Sequence, residues 1–282
     1  MKTVDRVADF FSKFSGSVAS LIKVMLLSRP SSGRYPESRT RPLVVLGNGP
    51  SLRKTLEEKP AWLEDADRLA VNFAANTDMF FSLQPEFYVL ADPHFFHGEE
   101  KDANVGRLWG NLMKCGWPMT LYVPVGERRA VLERVSANKN ITVKSFNLTP
   151  AEGWRPVAHS LYDAGLAMPR PRNVMIPAIM TGMREGYREI LLAGADHTWL
   201  QTLFVDDENH LVSVQPHFYA DNEKEKERVR SEYEGYHLHD ILGSMTVAFR
   251  SYHQIAAYAR RKGVTVINAT PGSYIDAFPR KR

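Results

Sequence analysis

The chain has 282 residues, 44% hydrophobic and 24% charged, an ordinary globular composition with enough apolar material for one large domain or two small ones. Its net charge of +4 and pI near 9.1 owe much to the ends, at Arg39, Arg41 and Arg280-Lys281-Arg282. No dense basic stripe crosses the middle, which disfavours duplex nucleic acid and favours an anionic membrane surface or an anionic substrate. The single cysteine, Cys115, excludes an intramolecular disulfide and fits the cytosol; in Met113-Lys114-Cys115-Gly116-Trp117 it reads as a small packing residue.

From the start of the chain, Val4, Val7, Phe10, Phe11, Phe14, Val18, Leu21, Ile22, Met25 and Leu26 recur at three- and four-residue spacing and predict an apolar helical stripe. The order of charge, apolar run and cleavage site that marks a signal peptide is absent, and the uninterrupted apolar run reads as too short to span a bilayer. Two readings follow: a helix lying in the membrane interface, or one packed on its own domain or another subunit. The membrane surface is favoured because a polar tether follows, Arg29-Pro30-Ser31-Ser32-Gly33-Arg34-Tyr35-Pro36-Glu37-Ser38. Residues 1–40 are thus expected to be an amphipathic interface helix and tether, peripheral on the cytoplasmic face of the inner membrane, with residues 41–282 forming one catalytic domain.

Residues 43–52, Leu-Val-Val-Leu-Gly-Asn-Gly-Pro-Ser-Leu, carry the most information. Four apolar residues predict a buried strand, Gly47 and Gly49 a sharp turn or a close approach to a ligand, and Pro50-Ser51 a helix start whose N–H groups attract phosphate. Asn48 adds an amide that donates and accepts. A tight turn with no ligand is the plain alternative. Further strands are expected at 68–73, 87–90, 119–123, 141–146, 189–193 and 264–268, and helices at 106–115, 127–135, 175–185 and 241–262. The charge-rich stretch 221–234 is expected to be a mobile lid or helix, within a lid region of about 200–240. Strands alternating with helices predict an α/β, Rossmann-like, mostly parallel sheet with helices on both faces.

Ligands of such sheets bind at the carboxyl ends of the strands. Those ends here carry Asn48, Asn72, Asp92 with His94, Asp196 with His197, and Asn268 with Thr270. Each alone is more often a turn former; five together favour a site. His94, His97, His197, His217, His237 and His239 lie near element ends, and histidine is the natural acid or base near neutral pH. No stretch has the tight spacing of a zinc site.

The string Val-Val-Leu-Gly-Asn-Gly-Pro-Ser-Leu resembles the opening of the bacterial lipooligosaccharide sialyltransferases, glycosyltransferase family 42. Asn72, the run Phe87-Tyr88 to Asp92-Pro93 and Phe95-Phe96, the run Gly186-Tyr187-Arg188-Glu189-Ile190 to Gly194-Ala195-Asp196, and Pro271 with Ser273 are similar to later family segments. The same features resemble the 6-hydroxymethylpterin diphosphokinase-like (DUF115-type) proteins. The sialyltransferase resemblance implies a CMP-activated acidic sugar (sialic acid or Kdo type) as donor and a glycan or glycolipid acceptor of surface polysaccharide or lipopolysaccharide assembly. It implies that Gly47, Asn48, Gly49, Pro50 and Ser51 hold the nucleotide with Asn72, that His237 or His239 is the base, and that Tyr219, Tyr233 and Tyr236 are candidates to steady the leaving phosphate. No cofactor would be required, and a homo-oligomer is expected. The departures are Asp92 where the family has asparagine, His197 ahead of Trp199, and a lid rich in Glu and Lys. They keep a second reading open, a diphosphokinase in which Asp92 and Asp196 hold Mg²⁺, and a third, a non-enzymatic membrane-bound nucleotide-binding scaffold.

Overall fold

The computed structural model describes residues 2–31, 38–58, 60–212 and 235–281. In chain order the helices are α1 (Lys2–Leu27), α2 (Ser51–Glu58), α3 (Ala61–Glu64), α4 (Asp78–Leu83), α5 (His94–His97), α6 (Ala103–Met113), α7 (Arg128–Arg134), α8 (Arg155–Asp163), α9 (Met175–Arg184) and α10 (Leu238–Lys262). The strands are β1 (Leu43–Leu46), β2 (Asp67–Val71), β3 (Phe87–Val89), β4 (Met119–Pro124), β5 (Ile141–Phe146), β6 (Glu189–Ala193), β7 (Phe204–Val205), β8 (Leu211–Val212) and β9 (Thr265–Asn268). Seven strands form one sheet in the order β5-β4-β3-β2-β1-β6-β9. Every pairing in it is parallel, and β7 and β8 make a small antiparallel hairpin.

Parallel strands buried on both sides read as continuous apolar runs, and β1 is buried at all four positions. Alternate residues of each strand serve opposite layers. Leu43, Val45, Leu69, Val71, Phe87 and Val89 pack with α8, α9 and α10. Ala70, Tyr88, Leu90, Leu121 and Val123 pack with α4 to α7, while Val44 and Leu46 meet α2 and α3. Strand order runs one way from β1 to β5 and the other way through β6 and β9, so the topological switch lies between β1 and β6. The doubly wound fold opens its ligand crevice there.

The first helix packs on the domain by its small polar residues and not by its apolar stripe. Gly16, Ser17, Ser20 and Val24, one face at three- and four-residue spacing, turn toward the domain, with Ser17, Ser20 and Val24 buried. Ser17 Oγ accepts from Trp154 N at 2.9 Å. Ser20 Oγ donates to Glu152 O at 3.1 Å and accepts from Glu152 N at 2.8 Å. Gly153, at φ +98, approaches so closely that a Cβ on it would lie 2.4 Å from Ser17 N. Phe10 and Phe14 lean on the Trp154 ring, but the apolar stripe otherwise faces outward: Phe11 is 63% exposed, Met25 78% and Leu26 77%. Both sequence readings therefore meet in one helix, which is docked by small polar residues and bare on its apolar side. By length and composition the 23 residues Asp5–Leu27 suffice to cross a bilayer, contrary to the sequence reading. In the docked position they lie along the domain, because contacts run from Phe10 to Val24.

The described ends of the expected tether are pinned. Ser28 Oγ donates to Leu166 O at 2.6 Å, Arg29 N to Asn147 Oδ1 at 3.0 Å, and Arg39 pairs with Glu185. Residues 213–234, with His217, Tyr219, Tyr233 and the charge-rich stretch, lie outside the described residues. Cys115 is buried as expected, its Sγ 3.2 Å from Trp117 O.

Candidate functional site

A cleft of about 390 Å³ opens at the carboxyl edge of the sheet, over the β1–β6 switch point. Its walls include Gly47, Asn48, Gly49 and Pro50 after β1, Asn72 after β2, Asp92 after β3, and Gly194, Asp196 and His197 after β6. Four of the five strand-end clusters expected from sequence thus converge. The fifth, Asn268 with Thr270, is fully buried and acts as a brace. Asn268 Nδ2 donates to Ser273 Oγ at 3.0 Å. Thr270 Oγ1 accepts from Ala195 N at 3.0 Å, and Ser273 Oγ donates to Ala195 O at 2.6 Å. With Tyr274 N donating to Asp196 O at 2.9 Å, this segment fixes the backbone that presents Asp196 and His197.

The fold by itself requires the glycines. Gly47 N donates to Ala193 O and Gly49 N to Gly194 O, both at 2.8 Å. A Cβ on Gly47 would lie 2.5 Å from Gly194 O, and one on Gly49 2.0 Å from Asp196 Oδ2. Gly194 itself has φ +65, and its Cβ would meet Gly47 O at 2.5 Å. The β1 and β6 loops interlock backbone to backbone, leaving no room for a side chain.

The expected anion position at the start of α2 is likewise held by the protein. Asp196 Oδ2 accepts from Ser51 Oγ at 2.8 Å and Oδ1 from Ser51 N at 3.2 Å. Burial pushes the Asp196 carboxyl above its usual value, against the lowering effect of the Ser51 hydrogen bonds. Asp92 is exposed and its Oδ1 accepts from His94 N at 2.8 Å, the local turn role anticipated for such residues.

His197 sits in the left-handed region at φ 54, as does Asn72 at φ 51, and side chains with local polar partners visit that region most readily. Asn72 O accepts from Tyr88 OH at 2.5 Å, which helps hold its backbone. The His197 ring is buried against Trp199, centroids 4.2 Å apart, and burial lowers its pKa to about 3, so it is neutral at physiological pH. Its tautomer follows from its neighbours. Asn173 Oδ1 accepts from Met175 N at 3.0 Å and is 2.9 Å from Tyr252 OH, so the hydroxyl donates to it. Tyr252 has no second proton, and His197 Nε2, 2.5 Å from Tyr252 OH, must be the N–H donor. Nδ1 is left as the acceptor.

Among the described residues, three polar groups on the cleft wall have no partner. Asn48 Nδ2 donates to Val71 O at 3.3 Å, while Asn48 Oδ1 and Asn173 Nδ2 are buried without partners among the described residues. Arg172 is exposed at the rim, its guanidinium making no hydrogen bond or ion pair among the described residues. Arg172 and Asn173 escaped the sequence reading because they lie in an irregular connection without periodicity. The signal available was Arg170-Pro171-Arg172-Asn173 directly before an apolar helix.

Several expected residues lie elsewhere. His237, His239 and Tyr236 are exposed and none lines the cleft. His237 N donates to Asp240 Oδ2 at 3.0 Å as part of a capping box that starts α10, and the His239 ring stacks on that of His237. Among the described residues one group of side chains could gather a metal ion, Asp206, Glu208 and His210 on the β7–β8 hairpin; it includes neither Asp92 nor Asp196.

No family model matches the chain, and no curated protein matches it. Among solved structures it is similar to a MAf glycosyltransferase from Magnetospirillum magneticum AMB-1, with 12% identity and a TM-score of 0.49 over 95% of this chain. The chain spans 38% of that protein's length. At this distance the comparison carries no functional weight, and function is read from the cleft.

Proposed function

We propose that the chain is a glycosyltransferase that binds a CMP-activated acidic sugar in the switch-point cleft and transfers the sugar to a glycan or glycolipid hydroxyl at a membrane surface. The observation that supports this reading is the set of unsatisfied groups in the cleft. A buried amide oxygen on Asn48 asks for a donor such as a nucleobase amine or ribose hydroxyl, and unsatisfied buried polar groups are costly to leave so. Arg172 at the rim supplies the cation for a nucleotide phosphate or a sugar carboxylate.

In this reading the acceptor hydroxyl attacks the sugar's anomeric carbon as its bond to the phosphate oxygen breaks. The hydroxyl proton passes to Asp196, whose raised pKa suits a carboxylate that accepts a proton. CMP leaves with its phosphate charge against Arg172. His197 Nδ1, neutral and oriented by Tyr252, positions a hydroxyl by accepting its hydrogen bond. Membrane attachment rests on the bare apolar face of α1.

Thermal shifts with CMP, CDP, UDP, GDP and ATP, each with and without Mg²⁺, test the reading. Ligand at about 100 times its Kd stabilises the native state by roughly 2.7 kcal/mol. A rise with CMP alone, lost in Asn48→Ala and Arg172→Ala, is expected. A response to ATP only, and only with Mg²⁺, would instead favour a phosphotransferase in which the two cleft carboxylates, Asp92 and Asp196, hold the metal.

A further inference from the structure

A second cavity, of about 230 Å³, lies between α8 and α10 on the face of the sheet that carries α1. The groups that matter in its lining are Glu152, Arg155, His159, Arg250, His253 and Gln254. Glu152 is already neutralised: Arg170 Nη2 donates to its Oε2 at 2.5 Å and Arg170 Nε to its Oε1 at 3.3 Å. His253 is held by Asp276 at 3.0 Å. Arg155 and Arg250 are exposed at the cavity and make no side-chain hydrogen bond or ion pair among the described residues, though the Arg250 charge also acts on Glu152. The buried His159 ring packs against those of Tyr162 and Tyr258, with centroids 6.0 and 5.3 Å away. Its pKa is lowered by burial and by Arg261 and Arg155, so it faces the cavity as a neutral imidazole. Gln254 Oε1 is buried with no hydrogen-bond partner among the described residues.

These walls have a definite chemistry. Two exposed guanidiniums beside a carboxylate that Arg170 already holds leave an excess of positive charge, a site for an anion, and guanidinium matches phosphate geometry. An orphan amide oxygen cannot be satisfied by phosphate oxygens, which are acceptors. It needs a hydroxyl or amine donor on the same ligand. We infer that this cavity binds a phosphorylated polyol, with the phosphate on Arg155 and Arg250 and a hydroxyl on Gln254 Oε1.

Two sources carry that chemistry, a phospholipid headgroup and a free sugar or glycerol phosphate. The lipid source has a route. Glu152 and Gly153, which line the cavity, are the residues that clasp Ser17 and Ser20 of α1, so that helix borders the cavity by its serine face while its apolar face stays exposed. The inference does not rest on the nucleotide reading of the first cleft.

The test uses the full chain with glycerol 3-phosphate, inorganic phosphate and free glycerol as soluble probes, and phosphatidylglycerol or phosphatidylcholine vesicles as lipid probes. Arg155→Gln/Arg250→Gln removes two exposed cations and leaves the core intact. Lys54→Gln/Arg129→Gln removes the same charge from α2 and α7 on the opposite face. Glycerol 3-phosphate should raise the melting temperature of the wild type and of the charge-matched control, with at least tenfold weaker apparent affinity in the arginine variant. Gln254→Leu should erase the preference for glycerol 3-phosphate over inorganic phosphate. Sedimentation with phosphatidylglycerol vesicles that falls severalfold in the arginine variant alone assigns the site to a headgroup, even without a soluble response. A soluble response without the vesicle effect assigns it to a free ester. If the arginine variant matches its charge-matched control with every probe, the inference is wrong.

Discussion

Replacing Gly47 by alanine separates two explanations of a glycine-rich loop. If the glycine serves ligand approach, the empty protein should tolerate the methyl group. The structure says otherwise. The new Cβ would stand 2.5 Å from Gly194 O and 2.9 Å from Gly194 C, and both atoms belong to a backbone braced by Thr270 and Ser273. Gly47 is not among the residues with positive φ, so the penalty is steric alone, and overpacking of this kind costs about 1–3 kcal/mol. Gly243→Ala provides the opposite sign. That glycine lies inside α10 with nothing within 4 Å of its added Cβ, and removing a helix-interior glycine is worth about 0.8–1 kcal/mol. The two variants should therefore differ by about 2–4 kcal/mol, which places their melting temperatures roughly 3–7 °C apart for a domain of this size. Thermal unfolding without ligand, followed by circular dichroism, measures this. A Gly47→Ala protein that melts with the wild type yet has lost nucleotide binding would refute the interlock and restore the ligand as the reason for glycine.

Further outcomes follow from the same contacts. Tyr252→Phe leaves the His197 Nε2–H donor and one Asn173 acceptor site without their shared partner. It should cost about 1–3 kcal/mol and change the His197 nitrogen shifts in an NMR spectrum, which otherwise report the Nε2–H tautomer over the whole physiological pH range. Glu185 is buried, which alone would raise its pKa, but Lys144, Tyr122 and Arg39 outweigh this and hold it below the ordinary value. A depressed folded pKa means that its contribution is complete above the unfolded value of about 4.3 and lost as pH falls through the folded one. Glu185→Gln should lower stability by about 2 kcal/mol at pH 7 and flatten the loss of stability on acidification below about pH 4; urea titrations across pH 3–7 compare the slopes. Phe11→Glu/Met25→Glu, both on the outward face of α1, should weaken flotation with anionic vesicles and leave the melting temperature unchanged. Unchanged flotation would remove the membrane reading.

Much of the sheet was legible because its strands are covered on both faces and so appear as unbroken apolar runs. β5 and β6 fall at residues 141–146 and 189–193, as the sequence implies. The short α5 and the β7–β8 hairpin carry too few residues for a period to show, and α8, which begins Arg155-Pro156, mixes polar and apolar residues along its length. For the cleft, the strand-end rule found Asn48, Asn72, Asp92 and Asp196, since a parallel sheet brings all its carboxyl ends to one edge. It could not tell which of them are spoken for by the fold. Asp196 is bound to Ser51, a pairing across 145 residues that leaves no local trace, and Asn268 is turned inward by Ser273 five residues on. Arg172 and Asn173 come from a connection rather than a strand end, outside the reach of that rule.

The packing of α1 divides the substitution tolerance of a single helix between two masters. Gly16, Ser17, Ser20 and Val24 are fixed by the shape of the 149–166 region, so enlarging any of them undocks the helix. The outward positions, from Phe11 to Leu26, touch little of this fold and can be exchanged for other apolar residues at no cost to it. A library randomised over the helix should therefore sort into two independent traits, folding yield following the serine face and recovery in the membrane fraction following the other.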